Sequence, residues 1–524
     1  MPLTHLTRLG PEPGVARGRR AYHRLVRLPG EAHLPRHELG GPPLPVLPDG
    51  DRASIDCVVH MTDLHVADVQ SPARFEFLNR ELGDPRFQAL VPVQRPQEAL
   101  TPHALDALVR TLGNGVVGPA TGLPVHLALT GGDSIDNAQS NELEALVGLL
   151  DGGEVDLRSS GGGYEGVQSP EWPDDIFWVP DGAQGADIFH RDFGFPTHPG
   201  LLRRALRPFR AAGLPVPWLG CRGNHEAHCQ GVGVVTASLA RGMTGGWKPV
   251  ALNPEFDRDR ALASFTVAPE RFFDGPCREV TAEPRRRPVT PADLWRAHLR
   301  SAATVEPSWL GPEGRADFVH DTPSVRFIVL DTVCPAGSAD GCVVPSQLRW
   351  LEDRLGEAND RLAVIVSHHG TDTIRSGQVH EDGSPNVGGR KLLALLLSFD
   401  SVVLWLNGHT HTHAIRPRRL PGGGRGLWEV TTASLIDWPC QARLIELFMG
   451  DGVLGIASTM VDHDAPPLAG GAEAGAELAA LHRELAANVP WAGIGSRLAG
   501  RPEDRNVVMS RPLSPRLERL MRAG

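Results

Sequence analysis

Five short apolar runs in this chain each end in a turn that carries Asp, Asn or His. Residues 54–61 lead into Asp63-Leu64-His65, and 125–130 lead into Gly131-Gly132-Asp133. Residues 216–221 lead into Arg222-Gly223-Asn224-His225-Glu226, 362–367 into His368-His369-Gly370, and 401–407 into Gly408-His409-Thr410-His411. Runs of this length bounded by glycine-rich turns read as strands. A sixth, 325–331, reads the same way. Helical patterns fall between them, near 72–82, 98–113, 142–150, 199–212, 291–302, 346–355 and 388–399. Alternating strands and helices predict an α/β sheet with helices on its outer faces. Ligands in such sheets collect beyond the carboxyl ends of the strands, where these polar turns lie.

At 524 residues the chain is long enough to bury a large core, and its 41% hydrophobic and 22% charged content is that of an ordinary globular protein. A formal charge of −10 argues against a general nucleic-acid or anionic-membrane binder. Arg285-Arg286-Arg287 reads as a solvated turn. No apolar stretch is long enough to span a bilayer, and the residues after Arg19-Arg20 form no apolar signal segment, so a cytoplasmic protein is expected. The seven cysteines are scattered and form no CxxC pair, which favours reduced thiols, although Cys334 and Cys342 could bridge within a loop.

The outlying segments read differently. Residues 1–50, rich in Pro, Arg and Gly, read as an arm on the surface or partly disordered. The domain proper is expected over 51–462, with insertions at about 151–200 and 227–320, the second holding a hairpin near 264–289. The aromatics of the first insertion lie either over the active face or in a packing flap. Strand-like runs at 427–434, 442–448 and 453–460 suit an antiparallel finish to the sheet. Residues 463–524 read as an Ala/Gly linker, a helix near 473–487 and a tail.

The polar turns collect three oxygen donors, Asp63, Asp133 and Asn224, and several imidazoles. His409 and His411 point the same way if the backbone between them stays extended. No thiolate is among these residues, so the set suits Mn, Fe, Zn or Co rather than a structural zinc site. There are too many ligands for one ion. Two divalent transition-metal ions, with one carboxylate between them, clamp phosphorus for in-line attack by an acidified water. A further imidazole could protonate the departing alkoxide.

In order, Asp63-Leu64-His65, Gly132-Asp133, Gly223-Asn224-His225-Glu226, Ser367-His368-His369 and Gly408-His409-Thr410-His411 resemble the motifs of the calcineurin-like metallophosphoesterase superfamily, within a little-characterised bacterial, largely actinobacterial branch. The resemblance implies a four-layer α/β/β/α sandwich of two mixed β-sheets flanked by helices. It implies that Asp63, His65 and His411 hold the first metal, that Asn224, His368 and His409 hold the second, and that Asp133 bridges them. His225 would contact the scissile phosphate and donate the leaving-group proton. His368 is taken over His369, being the first His after its strand. His413 is left as a supporting or surface residue, Asp136 and Asn137 as supports of the metal shell or helix caps, and Arg74 as a helix-surface arginine. Position 136 is Asp where purple acid phosphatases carry Tyr, and Asn137-Ala138 stand where serine/threonine phosphatases carry Arg-Gly.

The expected activity is hydrolysis of a small phosphomonoester or phosphodiester, with no nucleic-acid polymer or membrane as partner. One alternative is a cyclic-nucleotide or nucleotide phosphodiesterase, with the aromatics of 172–195 stacking a base. The other is an inactive scaffold that keeps the fold.

Overall fold

A computed structural model describes residues 2–12, 22–46, 53–172, 174–183, 185–300, 315–357, 360–376, 385–419, 426–450, 453–470 and 473–523. Two mixed sheets form its centre. The seven-stranded sheet runs in the order Leu34–Arg36, Val507–Pro512, Val453–Asp462, Gln441–Gly450, Ala53–Met61, Leu127–Thr130 and Trp218–Gly220. The six-stranded sheet runs Phe318–Asp321, Val325–Leu330, Leu362–Ser367, Val402–Asn407, Gly426–Thr431 and Ala414–Arg419. Ala53–Met61, Leu127–Thr130 and Trp218–Gly220 are parallel neighbours, as are the four strands from Val325–Leu330 to Gly426–Thr431.

The near-continuous apolar strands are explained by burial on both faces. Val58, Leu129 and Leu219 of one sheet pack with Phe327, Val364 and Leu404 of the other, so this core lies between the sheets. Their neighbours point outward. Cys57, Val59 and Met61 pack under the helices Thr101–Gly113 and Ser140–Asp151 through Leu105, Leu108, Leu143 and Leu146. Ile328, Leu330, Ile365 and Trp405 pack under Pro345–Glu357 and Gly389–Ser398 through Leu351, Leu355, Leu392 and Leu396. The result is the expected α/β/β/α layering. Each such side chain contributes about 1.5–3 kcal/mol through burial.

The terminal segments join this fold instead of standing outside it. Leu34–Arg36 is an edge strand, and Val507–Pro512 lies between it and Val453–Asp462. Helix Ala474–Asn488 packs against Thr101–Gly113, with Thr101 Oγ1 and His482 Nε2 3.3 Å apart. Leu34–Arg36, Val507–Pro512 and Ala474–Asn488 all lie outside the expected span of 51–462. The final strands also divide between the sheets. Gly426–Thr431 extends the six-stranded sheet in parallel, and the hairpin Gln441–Gly450/Val453–Asp462 enters the other.

Two local expectations fail for identifiable reasons. The helix expected at 199–212 stops at Ala205 and gives way to strand Phe209–Ala211, because Pro208 lacks an N–H and disfavours helical backbone at Arg207. The hairpin expected at 264–289 is replaced by helix Ala261–Val267 and by Cys277–Glu279, whose strand partner is the upstream Trp247–Pro249. Cys334 and Cys342 form no disulfide. Among the described residues, no helix is long and apolar enough to cross a membrane.

Candidate metal centre

Because the central strands are parallel, the turns after Met61, Thr130, Gly220, Ser367 and Asn407 all emerge at one edge of the sandwich. Backbone hydrogen bonds then tie each turn to another. The Asp63 N–H donates to Gly132 O at 3.0 Å and the His65 N–H to Asp133 O at 3.0 Å. The His225 N–H donates to Asp133 Oδ1 at 2.8 Å, and the His409 N–H reaches both oxygens of Asp63 at 3.1 and 3.0 Å. Glu226 secures the same junction, its carboxylate accepting from the N–H groups of Gly223, Asp133 and Ser134 at 2.7, 2.9 and 2.6 Å.

The turns hold unusual backbone. Asp63, His65, Asp133, His409 and His411 have φ of 52°, 48°, 49°, 68° and 53°. Left-handed backbone at a residue other than glycine costs roughly 1–3 kcal/mol and persists only where its surroundings enforce it. The expectation of extended backbone between His409 and His411 is thus corrected. Both residues are left-handed, and the turn between them is what aims the two rings.

The hydrogen bonds fix which ring nitrogens carry protons. His65 Nδ1 lies 2.9 Å from Asp136 Oδ1, and His411 Nδ1 lies 2.7 Å from Asp437 Oδ2. Each Nδ1 therefore donates to a carboxylate, which leaves the Nε2 atoms to face each other at 3.2 Å. His411 Nε2 is also 3.3 Å from Asp63 Oδ1. His368 Nδ1 donates to Gly131 O at 2.8 Å, leaving Nε2 2.9 Å from Asp133 Oδ2. His369 is committed at both nitrogens: Nε2 donates to Ala339 O at 2.9 Å and Nδ1 meets Thr332 Oγ1 at 2.8 Å. The His409 ring lies tilted against both, with centroids 5.1 Å from His368 and 4.5 Å from His369. Asn224 donates through Nδ2 to Gly231 O, but its Oδ1 is buried without a donor.

Such an arrangement attracts positive charge. Burial alone would lower every imidazole here, yet Asp133 raises His368 to about 9, and Asp63 with Asp437 raises His411 to about 10. Burial keeps His65 near 4 and His409 near 3. Against the effect of burial, His368 and His225 hold Asp133 well below the usual carboxylate range. A cation relieves the contact between His65 and His411 and also satisfies the buried Asn224 oxygen. Among the described residues, four groups of ligand atoms lie close enough to hold an ion: His368 with His369 and His409, His65 with Asp136 and His225, and two neighbouring groups, Asp63 with His65 and His411 and Asp63 with Asp133 and His368. Asp63 is common to the last two.

A cavity of about 160 Å³ opens onto His65, Asp133, Asn224, His409 and His411 and onto His225, whose Nδ1 donates to Asp136 O. Its further lining comes from 89–95, from Gln230 and Val232, and from Ala339. No residue of 151–200 lines it, among those described. Trp178, Phe189 and Phe195 instead pack with Leu478, Leu481 and Leu485, so the first insertion is a packing unit and not a cover over the active face. The second insertion contributes to the wall: its Leu239, Met243, Phe265 and Phe272 support Phe75, Phe77, Leu90 and Val93.

Among the supporting residues, Arg74 differs from expectation. Arg74 is buried, not a surface residue, and pairs with Glu98 at 2.9 Å and Asp136 at 3.2 Å. Asp136 supports His65, while Gln139 with Glu142 forms the cap of helix Ser140–Asp151. His413 is buried and accepts from the Ala433 N–H and from Arg443. Asp437 and its partner Arg95, at 2.8 Å, have no sequence signal, since neither stands in a strand-end motif. Glu226 did have one, the residue after Asn224-His225.

The sequence profile of the calcineurin-like phosphoesterases matches residues 184–413. Asn224, His225, His368, His409 and His411 fall within that span, and the fold brings Asp63, His65 and Asp133 from outside it into the same cluster. A search of curated proteins finds no match. Among solved structures, a dimetal phosphatase from Danio rerio aligns over 79% of this chain and 100% of its own, with 11% identity and a TM-score of 0.35. Residues 184–413 thus match a calcineurin-like phosphoesterase domain, and the five motif turns lie together at one sheet edge.

Proposed function

We propose that this protein hydrolyses a small phosphomonoester or phosphodiester using two divalent transition-metal ions. Asp63, His65 and His411 would hold one ion and Asn224, His368 and His409 the other, with Asp133 between them. The observation that carries this reading is the convergence of potential ligand atoms: His65 Nε2 beside His411 Nε2, and His368 Nε2 beside Asp133 Oδ2, next to the donorless Asn224 oxygen. When bound, the ions supply an acidified water as nucleophile and offset charge on the phosphoryl oxygens.

The chain's own groups do the rest. Asp136 and Asp437 fix the tautomers of His65 and His411, which presents each Nε2 to the site. Asp136 O anchors His225 through Nδ1, leaving Nε2 to deliver a proton to the departing oxygen. The small cavity supports a small substrate. Base stacking by the aromatics of 172–195 loses its support, because they pack into cores away from the cavity. The test is turnover of aryl phosphomonoesters, aryl phosphodiesters and cyclic nucleotides by the metal-loaded protein, compared with His225→Ala. Turnover that depends on both metal and His225 supports the proposal, and a metal-loaded protein inert toward the whole panel overturns it.

A further inference from the structure

We infer that the cavity selects a compact phosphodiester monoanion over a phosphomonoester dianion, an inference that rests on the two-ion phosphoesterase reading. The first support is charge. Among the described lining residues Arg95 is the one Arg or Lys, and it is already paired: Nε and Nη2 reach Asp437 Oδ1 and Oδ2 at 2.8 and 3.2 Å. The next guanidinium, Arg74, is buried between two carboxylates, Glu98 and Asp136. Two divalent ions bring four positive charges, of which Asp63 and Asp133 cancel two. Arg95 and Asp437 cancel each other, and Arg74 is outnumbered by one. The proton that His225 carries as the acid and the charge of Glu226 behind Asp133 offset each other, so about one positive charge remains for substrate. A phosphomonoester carries about −1.5 to −2 at neutral pH, and surplus charge in a partly buried cavity is disfavoured.

The second support is the wall. Apart from Gln230, whose Oε1 accepts from the Phe75 N–H, the wall of Leu90, Val91, Pro92, Val93, Val232 and Ala339 presents no polar side chain to a free phosphate oxygen. Their backbone offers little more. The Leu90 N–H donates to Phe87 O, the Val93 N–H to Asn79 Oδ1 and the Val232 N–H to Cys229 O, while Pro92 has no N–H. A second ester group would bury apolar surface where a dianion's third oxygen would go unpaired.

The test compares p-nitrophenyl phosphate with ethyl p-nitrophenyl phosphate, which share a leaving group and differ in charge and one alkyl substituent. The metal-loaded full chain should give the diester a kcat/KM at least about tenfold higher. Equal or faster monoester turnover overturns the inference and leaves the phosphoesterase reading intact, whereas no turnover of either overturns both. Ala339→Arg, at a half-buried lining position, adds an uncommitted guanidinium to the wall. At unchanged metal content it should move the ratio toward the monoester by about tenfold. An unchanged ratio would overturn the charge basis of the inference.

Discussion

His65 Nε2 and His411 Nε2 stand 3.2 Å apart, and the Nδ1 atom of each ring donates to a carboxylate, Asp136 for the first and Asp437 for the second. Two residues 346 positions apart in sequence thus turn lone pairs toward each other. That geometry is stable only around positive charge, and both carboxylates lie behind the rings to enforce it.

Asp437 is the support with no sequence motif. Asp437→Ala leaves His411 without its acceptor and Arg95 without its ion-pair partner. Loss of such a carboxylate typically weakens metal binding by about 10–100-fold. Titration against a chromophoric chelator measures this directly; affinity equal to that of the unaltered chain would refute the role assigned to Asp437.

His225→Ala should separate chemistry from metal binding. The ring is anchored by Asp136 O and stands at the cavity, outside the proposed ligand set. A lost general acid lowers kcat by roughly 10²–10⁴. Steady-state kinetics with elemental analysis of the same sample should show low kcat at full metal content. If metal content falls in step with kcat, His225 is a ligand and not a proton donor.

Gly223 is held to glycine by contact. A Cβ there would lie 2.2 Å from Asp133 Oδ1 and 2.4 Å from the Asp133 N, so Gly223→Ala must displace the central carboxylate. Activity and bound metal should both fall. At Gly356, in helix Pro345–Glu357, a Cβ would meet nothing within 4 Å, and alanine should stabilise by about 0.4–1 kcal/mol with activity unchanged. Thermal unfolding and turnover of the two variants distinguish a local collision from a general cost of substitution.

The strands and their polar ends were readable because burial on both faces leaves unbroken apolar runs, such as 362–367 and 402–407, and because Asp, Asn and His stand out at their ends. What the sequence concealed is mostly long-range. Val507–Pro512 looks like part of a tail until it pairs with Val453–Asp462, and nothing local to Arg95 points to Asp437, 342 residues away. Arg74 misleads for a different reason. An arginine in a helix-like stretch is ordinarily exposed, and only its placement beside Glu98 and Asp136 makes burial affordable. The left-handed backbone at His409 and His411 arises from hydrogen bonds to other turns, which no local pattern announces.

Asp317 gives the protein a pH-dependent weakness away from the site. Burial, then the nearby Asp331 charge, raises its carboxyl to about 7 from an ordinary value of 3.8. A raised carboxyl contributes stability fully below its unfolded pKa and loses it as pH climbs to the folded value. Asp317→Asn keeps an oxygen for the Asp331 N–H and Gln347 and removes the titration. The Tm of the variant relative to the unaltered chain should therefore rise between about pH 4 and pH 7. A Tm difference independent of pH would contradict the assignment.

Elemental analysis of the purified full chain, paired with the same measurement on Asp133→Asn, tests the two-ion centre most directly. Close to two divalent transition-metal ions per chain, with a marked loss in the variant, is the predicted result. A chain that binds none when offered Mn, Fe, Zn or Co, or that holds the same number without the Asp133 carboxylate, would contradict it.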